Sequence, residues 1–120
     1  MADNKFTGMD GYKVRNSPNM GRFGEPFTSD DARLEAGFLL RRLQRGDNVG
    51  LPKSRPMPTV GARCHELRIP DGKLTWRIMY RIDSDAVIII EVFAKKTKTT
   101  PKRVIDICKE RLKVYNRESK

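Results

Sequence analysis

The run Ala86-Val87-Ile88-Ile89-Ile90, within a largely apolar stretch reaching Ala94, constrains this chain more than any other feature. A strand with one wet face alternates apolar and polar residues, whereas an unbroken β-branched run needs cover on both faces. It is far shorter than the roughly 20 residues a membrane-spanning helix requires. It therefore predicts the most central strand of a sheet, with packing layers above and below. A chain of 120 residues suits one such core and no second.

The flanking segments supply the layers. Thr28 or Ser29 caps a helix that has Asp30 and Asp31 in its first turn, Arg41, Arg42 and Arg45 in its last, and Gly46 beyond, charges that suit both ends of its dipole. Ala32, Ala36, Leu39, Leu40 and Leu43 form its apolar stripe, flanked by Leu34 and Phe38. From Asp47 to Thr59 three prolines predict an exposed loop carrying Lys53 and Arg55. Cys64 to Ile69 and Thr75 to Ile82 alternate around the turn pair Asp71-Gly72, which reads as an antiparallel hairpin; Asp83-Ser84-Asp85 then turns the chain into the apolar strand. Thr100 and Pro101 open a last helix running to about Arg117, with Val104, Cys108, Leu112 and Tyr115 on its stripe. Residues 1–27, rich in Gly and Pro, read as a flexible arm with a candidate edge strand at Tyr12 to Arg15. Its Gly21-Arg22-Phe23-Gly24 matches a GxxG loop only superficially, lacking the flanking helices. Residues 28–120 form the single domain. The fold class is α+β: a small twisted antiparallel sheet packed by an N-terminal helical segment and a C-terminal helix.

Charge points to the partner. Lys and Arg number 25 against 15 Asp and Glu, a net charge of +10, which implies a polyanion or an acidic protein surface. The excess is concentrated after residue 60, where 15 basic side chains face 8 acidic ones. Mean hydropathy of −0.63 excludes a membrane span, and no apolar leader follows the N-terminal charges, so cytoplasm is the expected compartment. Cys64, Cys108 and the single His65 fall short of a metal-ligand set or a disulfide framework. No cofactor is expected.

Strand alternation decides which charges meet. In Thr75 to Ile82, Trp76, Ile78, Tyr80 and Ile82 share one side, so Arg77 and Arg81 project from the other. In the preceding strand Arg68 and Glu66 lie opposite His65, Leu67 and Ile69, so Arg68 and Arg77 are expected to meet across the hairpin. Lys95 and Lys96 end the third strand, and one of them is expected to join. Clustered cations suit phosphodiester chemistry without a metal, because preorganised positive charge stabilises the phosphoryl oxygens. They equally suit simple phosphate binding.

The segments Gly61 to Arg68 with His65-Glu66-Leu67-Arg68, Trp76-Arg77-Ile78-Met79-Tyr80-Arg81, Val92-Phe93-Ala94-Lys95-Lys96-Thr97 and Thr100-Pro101, in this order and spacing, resemble the RelE/ParE toxin superfamily, particularly its HigB-like and phage-derived members. The resemblance implies the toxin of a type II toxin–antitoxin system, a metal-independent endoribonuclease that cuts messenger RNA in the ribosomal A site. It implies attack by the ribose 2′-hydroxyl on the neighbouring phosphate. Arg77 matches the family's strand arginine and is expected at the transition-state phosphate; Arg68, Lys96 and Lys95 fall near positions that contact substrate or ribosomal RNA. Arg81, Lys98, Lys53 and Arg55 are expected to bind RNA or the ribosome. Where some relatives place lysines this chain has Cys64 and Glu66, so the acid/base is left open among His65, Glu66, Glu91 and Tyr80. The implied partner is a cognate antitoxin, often of helix-turn-helix type, through which alone the toxin would reach operator DNA. Two other readings are a non-enzymatic toxin of the same fold directed at DNA gyrase, and a plain nucleic-acid-binding module.

Overall fold

The computed structural model describes residues 12–18, 27, 29–95 and 99–118. Their elements run β1 (Lys13–Asn16), α1 (Asp30–Gln44), β2 (Ser54–Pro56), β3 (Cys64–Asp71), β4 (Leu74–Ile82), β5 (Ala86–Lys95) and α2 (Lys102–Glu118). The strands form one sheet in the order β1-β5-β4-β3-β2, with α1 packed on one face and α2 on the other. The α+β class is as expected. The sheet is mixed rather than antiparallel, because β1 joins β5 in parallel.

The expected apolar strand is β5, with Val87, Ile88, Ile89 and Ile90 all at 0% exposure. It lies one place from the edge, and β4 holds the middle; β5 is sealed because helices cover both its faces and β1 shields its outer side. Its apolar residues divide between two cores. Val87, Ile89 and Val92 meet Leu67, Ile78, Tyr80 and the α1 stripe, while Ile90 meets Met79, Cys64 and the α2 stripe. Alternation separates Val87 and Ile89 from Ile90, and a bulge brings Val92 back to the first side: Met79 pairs with Glu91 but Tyr80 pairs with Ile89, so Ile90 is an extra residue. An inserted residue reverses the alternation beyond it. The carbonyl of Ile90 is taken by the Ser17 hydroxyl at 3.0 Å and by Nη1 of Arg111 at 2.9 Å, so β1's end and α2 both fasten the bulge.

Local chemistry places the helices. Ser29 caps α1, its Oγ accepting from the Ala32 N–H at 3.0 Å, and Ala32, Ala36, Leu39, Leu40 and Leu43 are all buried as the spacing predicts. Phe27 stands edge-on to Trp76, ring centroids 5.1 Å apart, in the same core. In α2, Val104, Cys108 and Leu112 are buried. The proline-rich segment expected to be irregular contains the short strand β2, which pairs antiparallel with β3. The Gly21-Arg22-Phe23-Gly24 motif lies outside the described residues. Among the described residues no helix is long and apolar enough to cross a membrane.

Candidate nucleic-acid interface

On the α2 face of the sheet, β2, β3 and β4 bring arginines together. Arg68 stands directly opposite Arg77 in the β3–β4 ladder, and Arg55 stands opposite Glu66 in the β2–β3 ladder. Glu66 is the hub. Its carboxylate, at 0% exposure, takes Nη1 of Arg77 at 2.8 Å and Nε of Arg55 at 3.1 Å on Oε1, and the Thr100 hydroxyl at 3.0 Å on Oε2. Two arginines thus share one carboxylate and Arg68 stands opposite one of them in the ladder, leaving the group positively charged. Like charges directly opposite one another repel, and Glu66 holds Arg77 inward. Arg68 and Arg55 are the members left partly exposed.

This arrangement revises several expected roles. Arg77, expected to meet the phosphate directly, has a side chain only 3% exposed and turned to Glu66. Glu66, one acid/base candidate, accepts from three donors, two of them cations. Thr100, read as the cap of α2, gives its hydroxyl proton to that carboxylate, while Val104 and Ile105 bond back to the Pro101 carbonyl. His65 lies on the α1 face, as the alternation predicts. Its ring stacks on Tyr80 at 5.3 Å, and its Nδ1 lies 3.2 Å from the Arg63 carbonyl; the sheet separates it from the arginines. Tyr80 is buried against the Ser54 hydroxyl at 2.7 Å, and burial raises its phenol pKa. Glu91 accepts from Arg111 at 2.9 Å.

The outlying cations divide likewise. Lys53 reaches Glu35 of α1 at 2.7 Å, on the other side of the sheet. Arg81 shares the face of Arg77 but works at the far end of β4, bonded to Asp83 through Nε at 2.7 Å and Nη2 at 3.0 Å and to Asn116 at 2.9 Å. Its guanidinium also lies 5.8 Å from the Tyr115 ring centre, so it ties the β4–β5 turn to the end of α2 rather than standing open to RNA. An open cleft of about 980 Å³ adjoins it, where Arg15 and Arg63 join Arg81 but Asp83, Asp85 and Glu118 balance them. Lys95 pairs with Thr75 at the end of β5, and Lys96 and Lys98 lie outside the described residues.

Arg55, expected as an RNA-binding residue on an exposed loop, enters the cluster because β2 forms and pairs with β3. Sequence reasoning missed Thr100 as a contributor. Thr100 enters through the bond from its hydroxyl to Glu66. The two thiols are inert by position: burial raises the pKa of Cys64, and it pushes that of Cys108 up to about 12.

Residues 28–113 match the family described as phage derived protein Gp49-like (DUF891), a stretch holding α1, the β2–β5 sheet and most of α2. No curated protein matches the chain.

Proposed function

The chain belongs to the phage-derived Gp49-like family, a toxin family associated with toxin–antitoxin pairs within the RelE/HigB-type superfamily, and on that premise we propose that it is an endoribonuclease that cuts messenger RNA on the ribosome. The observation that carries the reading is the convergence of Arg55, Arg68 and Arg77 from three neighbouring strands, two of them bonded to the single carboxylate of Glu66 and Arg68 opposite Arg77. Cations fixed before the reaction stabilise the charge that develops on a phosphoryl oxygen at no cost in reorganisation.

In this reading the ribose 2′-hydroxyl attacks the adjacent phosphorus, the bond to the 5′-oxygen breaks, and a cyclic phosphate and a 5′-hydroxyl are left. Arg68, partly exposed and not among the arginines bonded to Glu66, contacts the phosphate. Arg77 acts as a positioning residue, since it stands opposite Arg68 in the ladder and its guanidinium is held by Glu66. The cations rather than a metal neutralise the centre, and Lys95, Lys96 and Lys98 follow the RNA backbone or ribosomal RNA. A cognate antitoxin would cover this face, and the toxin would reach operator DNA through it.

The test compares induced wild type with Arg68→Ala and Arg68→Lys, with RNA ends mapped in each. Cuts confined to translated messages, lost in Arg68→Ala and weakened in Arg68→Lys, are expected, because lysine keeps the charge but not the guanidinium fork. Growth arrest with intact RNA and halted DNA replication would instead indicate a toxin acting on a protein target.

A further inference from the structure

The outward side of α1 carries two of the three large apolar side chains exposed among the described residues: Leu34 at 72% and Phe38 at 55%. The apolar stripe of this helix faces the sheet, so these two face away from the core. Asp31 and Arg41 extend the outward row in steps of three, four and three residues. Residues so spaced share one side of a helix. The row is therefore symmetric about residue 36 in position and antisymmetric in charge. An acid begins it, a base ends it, and two apolar residues lie between.

Such a row complements itself. Two copies placed antiparallel across a two-fold axis at residue 36 set Asp31 of each against Arg41 of the other, and Leu34 of each against Phe38 of the other. That reciprocity is what a two-fold interface demands. The ion pairs within the chain leave the outer charges available: Arg33 pairs with Asp30, Arg42 with Asp47 and Lys53 with Glu35, while Asp31 and Arg41 are exposed. Gly37, beside the symmetry centre, has no side chain, and a Cβ there would meet nothing within 4 Å in its own chain. Nothing among the described residues thus calls for a glycine in mid-helix, where it disfavours the helix, whereas close approach of a second helix does.

We infer that the outer face of α1 is a homodimer interface, its occupant being a second copy of this chain. A uniformly acidic partner segment would complement Arg41 but would oppose Asp31, which is why the mixed row favours self-association. The contact lies on α1, across the sheet from the arginine cluster, and dimerisation is independent of whether RNA is cut.

The experiment is sedimentation equilibrium of the purified full chain across concentrations, with circular dichroism to verify folding. Wild type is expected to rise from 13.8 kDa toward twice that mass. Asp31→Arg and Arg41→Asp, each turning both attractive pairs into repulsive ones, are expected to weaken association about tenfold or more, the scale of two exposed ion pairs changing sign. The double variant Asp31→Arg/Arg41→Asp restores complementarity and should associate as wild type does. A wild type that stays monomeric throughout, or single reversals that leave association unchanged, would overturn the inference. Failure of rescue in a folded double variant would do so as well.

Discussion

A carboxylate with no exposed surface carries three donors at position 66, and two of them are cations drawn from different strands. Removing one partner of a buried pair leaves an uncompensated charge, which costs about 3 to 5 kcal/mol. Glu66→Ala should destabilise the protein by that order in urea titration. Adding Arg77→Leu to it should recover part of the loss, since the buried charge is then gone; a double variant as unstable as the sum of the two singles would refute the coupling. Cys108 supplies the pH dependence. Its folded-state pKa is about 12 against an ordinary 9.0, because burial disfavours the thiolate. The unfolded chain therefore releases that proton first. The stability this thiol contributes is complete below about pH 9 and is lost as pH rises from there toward 12. Cys108→Ala should flatten the alkaline fall in melting temperature, and thiol labelling of the native protein near neutral pH should wait on unfolding.

The helices begin and end where their punctuation dictates. Ser29→Ala removes the acceptor for the Ala32 N–H and is expected to lower stability by about 1 kcal/mol, read as a shift in the urea midpoint at unchanged slope. Periodicity made both apolar stripes and the β3–β4 hairpin legible, together with the apposition of Arg68 and Arg77. The bulge in β5 was illegible because Ile88, Ile89 and Ile90 are chemically alike, so nothing in the letters marks which residue is surplus. The short β2 was hidden by prolines that local rules assign to loops, yet pairing with β3 overrides them. Alternation assigns a side chain to a face but not to a depth. It therefore grouped Glu66 with the arginines without revealing that the Arg77 side chain is almost fully buried and bonded to that carboxylate.

Across the whole molecule, the net charge of +10 fixes how binding should respond to salt. Affinity for ribosomes or single-stranded RNA is expected to fall linearly on a log–log plot, and Arg68→Ala should make that slope shallower by about 0.7 if one phosphate contact is lost. An unchanged slope would place Arg68 outside the contact. The parallel pairing of β1 with β5 has a consequence in time. Lys13 pairs with Ala86 and Asn16 with Ile89, so the strand made first joins a partner made more than seventy residues later. At about 5 to 20 residues per second of synthesis, β1 waits several seconds for its neighbour, and the Ser17 clip on the bulge can close only after that. The sheet is finished from its C-terminal side, and a ribosome stalled before residue 86 would hold a chain whose first strand has no place to go.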